Sequence, residues 1–291
     1  MKSFIATLSL VMSMFLLAGC GEKPQTKTLR FSAIPDQNST ELKEKFDGLA
    51  KYLSGKLGVP VEYVPVSDYK ASVEMFKTGD LDLVWFGALT SVQAIKAVPG
   101  ARAIVQGESD PHFKCYFIAH SSTGLAKADK LPADLSKFTF AFGSESSTSG
   151  RLMPEYFLRK AFGKAPTEIF AKAPIYSGSH DKTIELVSSG QVQLGVVNYE
   201  VYDERVREGK LKPDECRVIW ETPSFPNYNF TAHPSIEKDF GAGFTEKVQD
   251  ALVGVKDAAL LDVFPRKSLI KAHNDEYKVI EEIATQLGFV R

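Results

Sequence analysis

The sequence is poor in cysteine, almost neutral overall and lacks the familiar catalytic and cofactor motifs. It has 3 cysteines in 291 residues, and 35 basic residues stand against 36 acidic ones, a net charge of −1. Because the charges nearly cancel, no global field favours nucleic acid or an anionic membrane surface as a partner. No CxxC, HExxH, P-loop, GxSxG or GxGxxG motif occurs. We therefore predict that the protein is not an enzyme and uses no cofactor or metal.

The N-terminal segment is not part of the predicted fold. A basic residue precedes an apolar stretch over residues 4–17, which is too short to span a bilayer comfortably. This stretch ends in Leu-Ala-Gly followed by Cys20, which resembles the bacterial lipobox. By that resemblance residues 1–19 are a lipoprotein signal peptide, Cys20 carries the lipid and residues 20–28 are a polar tether; an ordinary secretory signal is the alternative. We expect a periplasmic, extracytoplasmic lipoprotein whose mature chain has no transmembrane helix.

Two cysteines, Cys115 and Cys216, remain in the mature chain. An oxidising compartment permits a disulfide between them, and two buried free thiols are the equally consistent alternative. The sequence leaves both outcomes open.

Beyond residue 28, hydrophobic periodicity alternates between strand and helix patterns. Predicted strands lie at 29–33, 59–63, 81–87, 115–119, 138–142, 192–198 and 217–220. Predicted helices lie at 42–57, 68–78, 88–97, 156–161, 181–188, 240–255, 257–261 and 275–287. This order predicts an α/β protein in which mainly parallel sheets are flanked by helices.

The chain beyond the tether is long enough for two domains of ordinary size. We predict a first lobe from residues 29–115 and 230–291 and a second lobe from residues 116–229. The crossings near 113–120 and 222–232 are short and extended, so they would form a hinge. Ligands of such sheets bind beyond the carboxyl ends of the strands. The loops predicted at this edge of the first lobe are 34–38, 67–69 and 86–90.

Residues 143–154 have the composition of an anion site. They join a predicted strand to a predicted helix, whose first N–H groups lack intrahelical acceptors. Ser147, Thr148 and Ser149 add hydroxyl donors, and Gly150 allows close approach to the backbone. The helix dipole favours an anion there by about 0.3–1 kcal/mol. The alternative is that one serine caps the helix and the others decorate a turn.

The order and spacing of several motifs resemble one family of solute receptors. These motifs are Asp68-Tyr69, Asp80-x-Asp82-x-x-Trp85-Phe86-Gly87, Ser146-Ser147-Thr148-Ser149-Gly150 and Ser179-His180-Asp181. They resemble the phosphonate-, phosphite- and phosphate-binding receptors of ABC importers, the PhnD type, and the similarity covers residues 28–291. It implies a two-lobed type II periplasmic-binding fold with two hinge crossings that closes on a ligand.

The resemblance also implies the ligand contacts. In that family a serine–threonine–serine loop at a helix N-terminus grips the oxyanion, which corresponds here to Ser147, Thr148 and Ser149. The further contacts carried over or inferred in this way are Tyr69, Phe86, His180, Glu200 and Tyr228. Each has a structural alternative, because aromatic side chains are commonly buried, a lone histidine is often structural and a carboxylate suits a helix start.

Two departures from the family pattern bear on the ligand. Glu200 resembles the glutamate that, together with an aspartate, holds the amino end of an aminoalkylphosphonate. Here Tyr228 takes the place of that aspartate, and Phe113 or Tyr116 replaces a second tyrosine. The departures favour a compact tetrahedral anion of the phosphonate, phosphite or phosphate type. Similar sequences are also described as selenate-importer components, so selenate is a further candidate.

The resemblance implies that the protein is a monomeric substrate-binding lipoprotein that delivers its oxyanion to an ABC permease and its ATPase. A receptor lobe that signals with the same ligand class is one alternative. A hydrolytic enzyme with Ser147 and His180 is another, but no nucleophile elbow is present and the serines lie where helix donors would bind an anion.

Overall fold

Strands and helices alternate through residues 27–290, the part of the chain that the computed structural model describes. The strands are β1 (Leu29–Ala33), β2 (Val61–Tyr63), β3 (Leu83–Phe86), β4 (Arg102–Gly107), β5 (Cys115–His120), β6 (Phe140–Phe142), β7 (Ile175–Tyr176), β8 (Leu194–Asn198), β9 (Cys216–Glu221), β10 (Asn229–Ala232) and β11 (Leu269–Lys271). The helices are α1 (Ser39–Leu57), α2 (Tyr69–Lys77), α3 (Ala88–Ala97), α4 (Met153–Phe162), α5 (Pro166–Ile169), α6 (His180–Ser188), α7 (Tyr199–Arg207), α8 (Ser235–Phe240), α9 (Phe244–Val253), α10 (Ala258–Leu261) and α11 (Lys278–Gln286). The predicted signal peptide, Cys20 and most of the predicted tether lie outside the described residues.

The strands form two sheets. The first sheet has six strands in the order β11-β4-β10-β3-β1-β2, so it combines the two ends of the described chain. In it β1 is parallel to β2 and β3, whereas β10 and β11 are antiparallel to their neighbours. The second sheet has five strands in the order β7-β6-β8-β5-β9. There β6 is parallel to β7 and β8, whereas β5 is antiparallel to β8 and β9.

The predicted α/β architecture is confirmed, with one correction: each sheet is mixed rather than mainly parallel. The parallel pairs arise where a crossover helix returns the chain to the same end of the sheet. The antiparallel strands β5 and β10 instead enter their sheets directly from the other lobe. Local periodicity cannot distinguish such a strand from one in a βαβ unit, because the difference lies in its distant partner.

Two segments, residues 108–114 and 222–228, connect the lobes side by side, and the first of them contains a short 3-10 turn at Asp110–His112. Phe113 and Phe225 form an isolated antiparallel bridge, in which the Phe225 N–H donates to the Phe113 carbonyl at 2.8 Å. The first crossing therefore comes earlier than the predicted 113–120, because Cys115–His120 already belongs to the second sheet. Paired crossings of this kind give the lobes a common hinge.

The described cysteines are both buried free thiols. Cys115 lies at one end of β5, and Cys216 pairs in register with His120 at the other end. The disulfide alternative is therefore wrong. In the same described part of the chain, no helix is both long enough and apolar enough to cross a membrane.

The parallel halves of the two sheets face each other across the space between the lobes. At the carboxyl ends of β1 and β3 lie the loop 34–38 and the start of α3. Opposite them lie the loop after β6 and the start of α6. The Asp36 carbonyl accepts a hydrogen bond from the His180 N–H at 3.0 Å, so the two lobes are in contact here.

Candidate functional site

The serine loop forms the start of a helix, as predicted, and the first turn is unusually wide. Residues Thr148–Leu152 form a π-helical turn that leads into α4, a feature that is frequent at functional sites. Ser147 caps this turn, because its Oγ accepts from the Gly150 N–H at 2.9 Å. A Cβ on Gly150 would lie 3.2 Å from the Gly143 Cα, so the tight turn depends on the absence of a side chain.

A second helix N-terminus approaches this loop from the other lobe. At the start of α3, the Leu89 N–H donates to Thr148 Oγ1 at 2.9 Å. The neighbouring Ala88 N–H donates to Asn227 Oδ1 at 3.4 Å. Gly87 permits the approach, because a Cβ at this position would lie 3.1 Å from Thr148 Oγ1. The positive ends of two helix dipoles therefore converge on one point.

His180 supplies a hydrogen-bond donor without a partner at the start of α6. Its Nδ1 accepts from the Asn198 N–H at 3.3 Å, so in the neutral ring the proton lies on Nε2. Burial lowers the pKa of His180 to about 3, which keeps the ring neutral. Within the described chain, no hydrogen-bond partner reaches this buried Nε2 atom. A buried donor without a partner is costly unless a ligand satisfies it.

Tyr69 lies beside the serine loop at the start of α2. Asp68 caps this helix, as its Oδ1 accepts from the Ala71 N–H at 2.8 Å. Burial, followed by the charge of Asp36, raises the pKa of Tyr69, and the neighbouring Ser147 side chain lowers it. The phenol is therefore neutral, buried and close to both groups.

Tyr228 closes another side of the site. Its hydroxyl donates to Asp36 Oδ2 at 2.7 Å and accepts from Asn198 Nδ2 at 3.2 Å. Its ring stacks on Trp85 with centroids 5.6 Å apart and planes inclined by 8°. The sequence predicted Tyr228, but it missed Asp36, Asn198 and Asn227, which carried no local motif.

The structure places two predicted contacts outside this group of donors. The Phe86 ring is fully buried and packs edge-on against Phe76, 5.7 Å between centroids, so it supports β3 from the core. Glu200 accepts from the Tyr199 hydroxyl at 3.0 Å and forms an ion pair with Arg266. Phe86 thus lies in the core, whereas Glu200 lines the small cavity beside Asp36 and Tyr228. That either side chain contacts the ligand stays a prediction.

Arg266 occupies the space where Glu200 and the first crossing meet. Its Nη2 and Nε donate to the two Asp110 carboxylate oxygens at 2.6 and 3.1 Å, and its Nη1 to Glu200. All three side chains are buried or nearly so. Burial raises the pKa of both carboxyl groups, and the guanidinium opposes this shift.

A cavity of about 20 Å³ lies between this ion cluster and the donors. Its lining includes Asp36, Trp85, Tyr228 and Arg266. That volume holds roughly one water-sized group, since about 10–15 Å³ on this measure is needed for one. A larger cleft of about 550 Å³ opens beside it, between the 35–40 loop and the start of α6.

The donors of the serine loop, Tyr69, His180 and the α3 N-terminus are hydroxyls, an imidazole and backbone N–H groups, and none of these groups carries a formal charge. Neutral donors suffice for an anion in a dry site, where each hydrogen bond is stronger than in water. In residues 27–290, no group of three or more His, Cys, Asp or Glu side chains could hold a metal ion. Two α/β lobes that enclose such donors define a solute-binding protein with the type II periplasmic fold.

Comparisons with known proteins agree. Residues 31–277 match the family described as "ABC transporter, phosphonate, periplasmic substrate-binding protein". The chain therefore belongs to the family of periplasmic substrate-binding proteins of phosphonate ABC transporters.

Individual relatives cover nearly the whole chain. The "Probable ABC transporter phosphite binding protein PhnD1" of Prochlorococcus marinus (strain MIT 9301) is 37% identical over 298 residues, 100% of this chain and 99% of the relative. The "Phosphate-import protein PhnD" of Mycolicibacterium smegmatis (strain ATCC 700084 / mc(2)155) is 28% identical over 80% of this chain and 77% of its own. The structure of the Prochlorococcus protein in complex with methylphosphonate matches with a TM-score of 0.84 and 39% identity, over 90% of this chain and 98% of that one.

Proposed function

We propose that this protein captures a small phosphorus oxyanion, phosphite or methylphosphonate, between its two lobes. The observation that carries the proposal is the unpartnered Nε2–H donor of His180, buried at the start of α6, where the His180 N–H donates to the Asp36 carbonyl of the other lobe. Relatives support the choice of anion, because one is described as phosphite-binding and its structure contains methylphosphonate.

The oxyanion oxygens are held by donors from both lobes. Thr148 Oγ1 and the Leu89 N–H, which now bond to each other, both turn toward a ligand oxygen. Ser147, Ser149 and His180 add donors from the second lobe, and these side chains are all buried. Tyr69 adds a donor from the first lobe, and Tyr228 forms the wall that the ligand substituent faces.

The substituent on phosphorus is no larger than a methyl group. The cavity that Tyr228 and Arg266 help to line has room for about one small group. Because Glu200 is already paired with Arg266, an amino group of the ligand would have to compete with the guanidinium for that carboxylate. Glu200 therefore acts on the site through Arg266, and Phe86 acts by packing against Phe76 of α2.

The protein works as a receptor rather than as an enzyme. His180 is a poor general base, because its Nδ1 is occupied by the Asn198 N–H and burial lowers its pKa to about 3. The predicted lobes, 29–115 with 230–291 and 116–229, close as a monomer around the ligand. The closed form docks on an ABC permease and its ATPase while a lipid on Cys20 holds the protein at the membrane.

Isothermal titration calorimetry of phosphite, methylphosphonate and 2-aminoethylphosphonate tests the proposal. We expect the first two to bind and the aminoalkyl compound to bind at least tenfold more weakly. Thr148→Val keeps the side-chain shape but removes the hydroxyl, which should weaken binding about tenfold or more, since a buried hydrogen bond of this kind is worth about 1–3 kcal/mol. Binding of none of these anions, or unchanged affinity in Thr148→Val, would overturn the assignment.

A further inference from the structure

A carboxylate lies among the neutral donors of the site. Asp36 is 8% exposed, and its Oδ2 accepts from the Tyr228 hydroxyl at 2.7 Å. Its backbone carbonyl accepts from the His180 N–H at 3.0 Å, so the residue is held from both lobes. The Asp36 backbone N–H and the Tyr228 hydroxyl both lower the pKa of this carboxyl group by hydrogen bonding. A carboxylate has about four acceptor positions, so Asp36 retains acceptor capacity for a ligand hydroxyl.

The charged groups around Asp36 do not neutralise it. Burial is the largest influence and raises the pKa of Asp36 to about 6; the Tyr228 hydroxyl lowers it and Asp181 raises it further. Arg266 lowers it least, because this guanidinium is already bound to Asp110 and Glu200.

Apart from Glu200, the titratable groups near Asp36 change their charge little between pH 6 and pH 9. Tyr63 and Tyr69 face Asp36, and burial raises the pKa of each phenol, as it does that of Tyr228. His180 stays neutral throughout this range, because burial lowers its pKa to about 3. Asp181 is held by Arg205 in an ion pair of 2.8 Å. Asp36 is thus the group in contact with Tyr228 whose charge changes near neutral pH. Burial raises the pKa of Glu200, which lines the same cavity, to about 7, so Glu200→Gln is the variant that separates its contribution to any pH dependence.

An ionised carboxylate repels a bound anion unless a proton lies between them. A ligand with its own hydroxyl supplies that proton and forms a charge-assisted hydrogen bond. A ligand without a hydroxyl binds only when Asp36 itself takes up a proton. Above the pKa of Asp36, that requirement costs about a factor of ten in affinity for each pH unit.

We infer that Asp36 selects oxyanions that carry a hydroxyl proton, so that methylphosphonate is preferred over selenate and sulfate. The inference rests on the proposed function, because it concerns the same site. Asp36 binds the P–OH group through Oδ1, while Tyr228 holds Oδ2. Selenate and sulfate have no proton to donate at neutral pH, and they enter only together with a proton taken from water.

Calorimetric titration of methylphosphonate, selenate and sulfate between pH 5.5 and pH 8.5 tests the inference on the purified protein. The Kd for selenate and for sulfate should rise about tenfold per pH unit above pH 6. The Kd for methylphosphonate should stay constant until the free ligand loses its own hydroxyl proton. Repeating the selenate titration in buffers with different ionisation enthalpies should show uptake of one proton per ligand.

Asp36→Asn should abolish this pH dependence, because the amide can donate to an oxyanion without taking up a proton. The preference for methylphosphonate over selenate at pH 7.5 should fall at least tenfold. Asp203→Asn is the matched control, since Asp203 Oδ2 also accepts from a tyrosine hydroxyl, that of Tyr116 at 3.3 Å, and burial raises its pKa. Asp203 lies outside the donor group, so Asp203→Asn should change neither the pH dependence of the selenate Kd nor that of the methylphosphonate Kd.

If Asp36→Asn does not fold, Tyr228→Phe provides the second variant. The Tyr228 hydroxyl lowers the pKa of Asp36, so its loss should raise that pKa. The affinity for selenate should then begin to fall at a higher pH. Equal pH slopes for selenate and methylphosphonate, or an unchanged selenate slope in Asp36→Asn, would overturn the inference while the proposed function stands. Failure of every anion at every pH would instead overturn the proposed function.

Discussion

Replacing Arg266 with methionine should strongly destabilise the fold, because this guanidinium is the shared partner of two buried carboxylates. It donates twice to Asp110, at 2.6 and 3.1 Å, and also binds Glu200. Removing one partner of a buried ion pair typically costs about 3–5 kcal/mol. That is a large share of a typical free energy of unfolding, which is about 5–15 kcal/mol.

The free energy of unfolding that Arg266→Met loses should depend on pH, and the direction of that dependence follows from the two carboxyl groups. Burial already raises the pKa of Asp110 and Glu200, and Arg266 opposes that shift. Without Arg266 both folded-state pKa values rise further above their unfolded values. Carboxyl groups with raised pKa values favour folding when protonated and disfavour it as the pH rises through the folded-state pKa. The deficit of Arg266→Met should therefore be larger at pH 8 than at pH 5.

Urea unfolding followed by tryptophan fluorescence, at pH 5 and pH 8, measures both effects. Arg102→Met is the control, because the pair of Arg102 with Glu246 is about half exposed and should contribute roughly 0–1 kcal/mol. Adding Asp110→Asn and Glu200→Gln to Arg266→Met removes the stranded charges and should recover much of the loss. A deficit below about 1 kcal/mol, or one that is equal at both pH values, would refute this account of the cluster.

Two further changes separate affinity from stability. Gly87→Ala should leave the thermal midpoint nearly unchanged, because the φ of −73° suits alanine. It should weaken methylphosphonate binding about tenfold, because the added Cβ would lie 3.1 Å from Thr148 Oγ1 and crowd it. Unchanged affinity in calorimetry would contradict this close approach. Asp68→Ala should cost about 1 kcal/mol in thermal unfolding, because the cap of α2 is lost; no shift in the midpoint would mean that another group satisfies the Ala71 N–H.

The elements that sequence reasoning predicted well are those with local signals. The helix 88–97 and the Asp68 cap follow from periodicity and side-chain chemistry within one turn, and the structure has both. The predicted strands did not include β4, β10 or β11, although β10 lies near the centre of the first sheet. Their pairing is long-range, so no window of the sequence contains the evidence for it.

The same limit applies to the site. The hydroxyl loop was recognisable because its donors are consecutive, and His180 was recognisable through the family resemblance. Arg266 lies 156 residues from Asp110 along the chain, and Tyr228 lies 192 residues from Asp36. Each pair contributes to the site only after folding has brought its two residues together and buried them, because burial makes an isolated charge costly.

The division of donors between the lobes explains how such a site could both hold and release an anion under the proposed function. Ser147, Thr148 and His180 belong to one side, whereas Tyr69 and the α3 N-terminus belong to the other. Opening the hinge separates the two sets, and neither set of donors contains a charged group that would hold the anion against water. Affinity is therefore coupled to closure, because only the closed form presents all donors in a dry environment. A permease that favours the open form would need to supply only the free energy of that closure to discharge the ligand.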